Sequence, residues 1–293
     1  MKIVITGAKG QLGTQLINII KAGKSEIGSI DERYKDSEIV GIDIEDLDIS
    51  NLDDVVDFIN KEKPDIIINP AAYTNVDACE SNEDLAYKVN SLGARNLAIA
   101  AENLGIKLVH VSTDYVFEGN GVKPYKEYDM PGPVGVYGKT KYLGESFIRE
   151  FCSKHFIVRT AWLYGYYGNN FVKTIMKAAK ERQELQVVDD QRGNPTNAED
   201  LAHHILKIAL TQEYGVYHCT GEGECSWYDF ASKIVELSNI ECIVSPCDSE
   251  QYKRAAKRPA YSSLDNMMLR CTVGNEMREW EEALKEFIQK VKL

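Results

Sequence analysis

The chain has 293 residues, 44% hydrophobic and 27% charged, and its 45 acidic against 34 basic residues leave a net charge of −11. That length suits about two domains or one large one, the composition excludes a disordered or collagen-like chain, and the negative field argues against a nucleic-acid partner. The apolar runs after Lys2 and Asp65 are far shorter than the roughly 20 residues of a membrane span, and the first lacks the cleavage site of a secretory signal, so no membrane association is expected.

Short β-branched runs at Lys2–Thr6, Glu38–Asp43, Asp65–Asn69, Lys107–Ser112 and Phe156–Thr160 alternate with helical patterns at Gln11–Ala22, Leu52–Lys61, Leu85–Leu104 and Tyr137–Phe151. This alternation predicts βαβ units, hence a Rossmann-like, doubly wound parallel α/β sheet whose ligands sit beyond the carboxyl ends of the strands. Further on, Asn170–Gln183, Ala198–Leu210, Trp227–Leu237 and Glu276–Val291 read as helices and Gly215–Thr220 as a strand. We expect residues 1–165 to form a dinucleotide-binding domain and residues 166–293 a smaller α/β substrate lobe, with the strand near 215–220 returning to the sheet.

The first strand runs into Gly7-Ala8-Lys9-Gly10-Gln11-Leu12-Gly13 and then a helix. In this G-x-x-G-x-x-G spacing Gly7 permits the tight turn, Gly10 lets backbone N–H groups approach a pyrophosphate, and Gly13 allows close packing of the helix. The helix N-terminus favours the anion. Asp43, ending the second strand, suits the ribose 2′-hydroxyl of NAD and opposes the 2′-phosphate of NADP. Asp48 and Ile49 line an adenine pocket or, for Asp48, form a helix cap or surface turn.

Tyr137 and Lys141 form a Tyr-x-x-x-Lys pattern at a helix start. At i and i+4 the ammonium lies on the same face as the phenol, where it favours phenolate and makes Tyr137 a proton donor to an oxygen receiving hydride. A hydroxyl in Ser112-Thr113-Asp114-Tyr115, at the end of the fourth strand, can polarise the same oxygen. Glycine loop, strand-end hydroxyl and Tyr-x-x-x-Lys, in that order, resemble the extended short-chain dehydrogenase/reductase superfamily.

Narrower blocks run through most of the chain: Asn69–Asp77, Ser112–Phe117, Arg159–Tyr164 with Gly168–Phe171, Asp190–Thr196 and Ser226–Ala231. Together they resemble the dTDP-4-dehydrorhamnose reductase family. The resemblance implies reduction of a dTDP-sugar C4 ketone, in dTDP-4-dehydro-β-L-rhamnose, by NADPH or NADH. It implies Thr113, Tyr137 and Lys141 as catalytic residues. The implied cofactor contacts are Gly10, Gln11, Leu12, Asp43, Asp48, Ile49, Ala72, Tyr73 and Thr74, and the implied substrate contacts are Val76, Thr113, Asp114 and Trp162. Pro70 departs from the family's usual small residue and removes one backbone donor. Trp162 either offers an apolar face to a deoxysugar or packs in the core.

The basic run Lys253–Pro259 is either a solvated face or, as the resemblance implies for Arg258, a contact to the nucleotide diphosphate. The five histidines show no triad or metal spacing, so they read as structural and no metal site is expected. Seven cysteines without a C-x-x-C pair read as reduced thiols of a cytoplasmic protein. The chain is expected to act as a monomer or homodimer. Tyr115 after Asp114 counts against a dehydratase, which carries Glu there. A related epimerase remains an alternative, as does a non-catalytic subunit resembling that of methionine adenosyltransferase, though the catalytic trio favours an enzyme.

Overall fold

The computed structural model describes residues 1–251 and 254–291, so Lys253 of the basic run lies outside the described residues. In chain order the main elements are β1 (Lys2–Thr6), α1 (Gln11–Ala22), β2 (Glu38–Ile42), α2 (Leu52–Glu62), β3 (Ile66–Asn69), α3 (Gly93–Leu104), β4 (Lys107–Thr113), α4 (Val136–Phe151), β5 (His155–Thr160), α5 (Phe171–Glu181), β6 (Glu184–Val188), α6 (Ala198–Ala209), β7 (Gly215–His218), α7 (Trp227–Leu237), β8 (Ile243–Cys247) and α8 (Trp280–Lys290).

Six strands form one sheet in the order β7-β5-β4-β3-β1-β2, with all pairings parallel. Ile3 registers with Ile39 on one side and Ile66 on the other. The central strands are apolar along their length because both faces are covered. Ile3, Ile5 and Val109 pack under α1 and α6, against Leu16, Ile19, Leu201 and Ile205. Val4, Ile67 and Leu108 pack under α2, α3 and α4, against Val55, Ile59, Leu97 and Ile148. The chain goes from β1 to β2 on one side and returns to β3 on the other, so the crevice of this doubly wound sheet opens between β1 and β3. Across it the Thr6 hydroxyl lies 2.6 Å from Oδ1 of Asn69.

The helix expected over Leu85–Leu104 is interrupted. Glu83–Tyr87 passes into a π-helical turn at Lys88–Leu92 before α3 begins. This wider turn brings buried Asn90 and Ser91 against α4, where Ser91 donates to the Thr140 carbonyl at 2.7 Å. Gly144 makes the approach possible, since a β-carbon there would stand 2.4 Å from the Asn90 carbonyl oxygen. Such turns recur where a helix must re-aim side chains at a functional site.

After β5 the chain builds a third apolar cluster from α5, α7 and α8, around Tyr164, Val172, Phe230, Ile234, Leu284 and Phe287. β6 and β8 pair in parallel beside it. Within the same stretch, α6 and β7 pack with the sheet. The chain therefore crosses between the two bodies more than once.

Candidate active site

The glycine loop is built by steric necessity at two positions. Gly7 has φ +55°, a left-handed conformation that favours glycine, and a β-carbon on Gly13 would stand 2.2 Å from the Gly7 carbonyl oxygen. Gly10 caps α1 without a side-chain acceptor, so the first-turn N–H groups of Gln11, Leu12 and Gly13 are left for an external anion. This cradle fits a dinucleotide pyrophosphate. At the end of β2, Asp43 accepts from the Lys9 backbone N–H at 3.1 Å, while the Lys9 ammonium pairs with Glu45 at 2.8 Å. The carboxylate is thereby tied to the loop.

The loop opens into a cavity of about 820 Å³. Gly7 to Gly13, Asp43, Asp48, Ile49, Ala72, Tyr73 and Thr74 contribute to its first half, and Val76, Thr113, Asp114, Tyr137, Lys141 and Trp162 to its second, although Ala8 and Lys9 are not part of the lining. Asp48 is not the cap of α2. That role belongs to Asn51, whose side chain accepts from Asp53 and Asp54, while Asp48 accepts from the Ser50 N–H at 2.9 Å and closes the preceding turn. Tyr73 is fixed by a residue that sequence reasoning missed. The Asn90 amide, turned inward by the π-helical turn, accepts from the Tyr73 N–H at 2.8 Å and donates to its carbonyl at 3.2 Å.

The chemical end of the cavity lies where β4 meets the start of α4. Ser112 donates to Glu145 at 2.6 Å, and Glu145 is paired with Arg159 at 2.7 Å, so this hydroxyl is committed to a buried ion pair. The available hydroxyl is that of Thr113, which donates to Asp114 at 2.9 Å and lies beside the Tyr137 hydroxyl. Burial lifts Tyr137 above the ordinary phenol range. Lys141, on the same face of α4, is held by the Val111 carbonyl at 2.6 Å and by His110 Nε2 at 3.3 Å. Burial lowers Lys141 to about 8 and lifts Asp114 to about 6. A phenol that keeps its proton, beside a hydroxyl and within reach of a buried cation, can protonate an oxygen that is gaining charge.

Trp162 has φ +47°, rare for a bulky residue. Its indole stacks on that of Trp227, with ring centroids 3.5 Å apart and planes 8° apart. A β-carbon on Gly193 would lie 2.7 Å from Nε1 and Cε2 of the same ring, so the Gly193 backbone runs close against it. One face of the Trp162 indole is therefore taken by Trp227, and Trp227 joins Trp162 in lining the cavity. Arg258 is not among the described lining residues; its guanidinium pairs with Asp77 at 3.1 Å, next to Val76. Among the described residues no cluster of three or more His, Cys, Asp or Glu is placed to hold a metal ion, and no helix is long and apolar enough to cross a membrane.

The family model described as the RmlD substrate binding domain matches residues 1–293. A dTDP-4-dehydrorhamnose reductase of Aggregatibacter actinomycetemcomitans is 42% identical over 298 residues, covering 97% of each chain. A solved dTDP-4-dehydrorhamnose reductase of Clostridium acetobutylicum is 48% identical, with TM-score 0.93 and 99% of each chain covered. That of Bacillus anthracis, solved in complex with NADP, is 44% identical, with TM-score 0.92 and the same coverage.

Proposed function

This chain belongs to the RmlD substrate binding domain family, and on that premise we propose that it reduces the C4 ketone of dTDP-4-dehydro-β-L-rhamnose to dTDP-L-rhamnose, using NADPH or NADH. The observation that carries this reading is the single cavity joining the open N-terminus of α1 to the Thr113–Tyr137 hydroxyl pair. When bound, a reduced nicotinamide supplies the hydride.

The chain's own residues do the rest. The first turn of α1 and its glycines hold the pyrophosphate, and Asp43 accepts from a ribose hydroxyl. Tyr137 gives its proton to the ketone oxygen as that oxygen becomes an alkoxide. Thr113 holds the Tyr137 hydroxyl at the strand end, itself fixed by Asp114 and by the Tyr115 N–H at 3.2 Å. Lys141, one helical turn beyond Tyr137, offsets the negative charge left on the phenol after transfer. Asp114, Val76 and the Trp162–Trp227 pair contact the sugar nucleotide.

The test mixes the purified protein with the 4-keto dTDP-sugar and either reduced nicotinamide cofactor, following the loss of reduced-nicotinamide absorbance. Consumption with formation of dTDP-L-rhamnose supports the reading. No oxidation of either cofactor overturns it.

A further inference from the structure

We propose that His110, held as its Nδ1–H tautomer by Asn69, is the positioning residue of Lys141: its Nε2 and the Val111 carbonyl take two ammonium protons and leave the third for the cavity. The catalytic role of Lys141 rests on the function proposed above; the hydrogen-bond argument does not.

Lys141 and His110 are each 1% exposed. A buried ammonium carries three donors and is costly unless they find acceptors. Two are supplied, by the Val111 carbonyl at 2.6 Å and by His110 Nε2 at 3.3 Å. Lys141 also lines the cavity, so its remaining N–H is the one available to a ligand. The carboxylate of Glu145, one turn further along α4, favours the charged form of Lys141 from a distance while remaining bonded to Ser112 and Arg159.

The other side of the ring decides whether Nε2 can accept. His110 Nδ1 lies 2.9 Å from Nδ2 of the Asn69 side-chain amide, which is also 1% exposed, and Oδ1 of that amide lies 2.6 Å from the Thr6 hydroxyl. An amide presents a donor at one end and an acceptor at the other, and the hydrogen-bond network decides which is which. With the amide nitrogen toward the ring, as placed here, Nδ1 accepts and Nε2 carries the proton, setting N–H against N–H at Lys141. Only a neutral lysine tolerates that. With the amide turned over so that its oxygen faces the ring, at the same two distances, Nδ1–H donates to Asn69, the amide nitrogen donates to Thr6, and Nε2 is free to accept from the ammonium. Burial and the Lys141 charge both hold His110 well below its ordinary value, so the ring stays neutral and keeps its lone pair. The charge on Lys141 thus selects one polarity along Thr6, Asn69 and His110, from the strand before the glycine loop to the catalytic helix.

The first test reads the tautomer directly in the full-length protein. With 15N-labelled histidine near neutral pH, the His110 ring signals are assigned by their loss in His110→Gln. A protonated Nδ1 with an unprotonated Nε2 is expected; a protonated Nε2 or an imidazolium overturns the proposal whether or not the protein reduces the sugar. The second test is kinetic. His110→Phe should lower kcat by about tenfold to a hundredfold through misplacement of Lys141, with KM for the sugar changed by less than about threefold. His110→Gln, which restores an acceptor, should recover part of the loss. Wild-type kcat in His110→Phe overturns the positioning role. A wild type inactive on the 4-keto sugar, with the Nδ1–H tautomer present, removes the proposed function and leaves the His110 hydrogen bonds standing.

Discussion

The indole of Trp162 lies flat on that of Trp227 at 3.5 Å, held in a left-handed backbone conformation with the Gly193 backbone against it. The strain of that conformation, on the order of 1–3 kcal/mol, is sustained by the packing around it, and Gly193 is the element that leaves no alternative. Gly193→Ala should push Trp162 off Trp227, destabilise the fold by about 1–3 kcal/mol and raise KM for the sugar nucleotide. Stacked indoles couple their transitions, so circular dichroism should show a couplet that Trp227→Leu abolishes and Gly193→Ala weakens. An unchanged couplet in both variants would show that the stack does not persist in solution.

Asp114 contacts the site at a cost to stability. Burial lifts its carboxyl from 3.8 to about 6, against the hydrogen bond from Thr113 at 2.9 Å. Because the folded value lies above the unfolded one, its favourable contribution is complete below pH 3.8 and is lost as pH rises through about 6. At neutral pH the fold therefore carries a penalty of up to about 3 kcal/mol. Asp114→Asn should raise Tm at pH 7 by a few degrees and lower kcat/KM for the sugar, with the Tm gain shrinking toward pH 4. A Tm that falls at pH 7 would contradict this account.

Whatever depended on local pattern was legible in the sequence. β1 and β3 carry continuous apolar runs, and β4 one broken by His110, because both faces of the sheet are covered, and Gly7, Gly10 and Gly13 announce a turn that larger residues cannot make. Tyr137 and Lys141 share a helix face through spacing alone. The π-helical turn at Lys88–Leu92 was not legible, since its apolar spacing matches an ordinary helix and only the contact of Asn90 with Tyr73 and Gly144 reveals it. The β6–β8 pair escaped because its partners are distant in sequence and Pro246 weakens the strand signal. His110 looked like one more core histidine; its neighbours Asn69 and Lys141 come from other elements. The partners of the Lys141 ammonium were hidden for the same reason, because the Val111 carbonyl and His110 belong to β4 rather than to its own helix.

Asp43 is the residue to test for cofactor choice. Its carboxylate is bonded to the Lys9 N–H, and the Lys9 ammonium is drawn to Glu45. We expect the wild type to use NADH as well as NADPH. Asp43→Asn should lower kcat/KM for NADH by about tenfold through loss of a charge-assisted hydrogen bond to the ribose, while that for NADPH changes by less than about threefold. Equal losses with both cofactors would show that Asp43 only supports the loop, and strict NADPH dependence in the wild type would show that its charge does not decide the choice.

Tyr137 and Lys141 make opposite demands on pH. The folded protein holds the phenol above its ordinary range, so the proton donor stays loaded through neutral and mildly alkaline solution. It lowers Lys141 to about 8, so the cation is the first of the two to be lost as pH rises. The value of kcat/KM for the reduced cofactor, which reports the free enzyme, should be level toward neutral pH and fall above about 8. Lys141→Arg, which cannot lose its charge in this range, should remove that fall even if its larger head lowers the plateau. Tyr137→Phe should lose about a hundredfold or more of kcat, with cofactor Kd nearly unchanged, because the hydroxyl serves the transferred proton rather than the pyrophosphate. Full activity in Tyr137→Phe would remove it as the acid, and an alkaline fall that survives Lys141→Arg would place the titrating group elsewhere in the cavity.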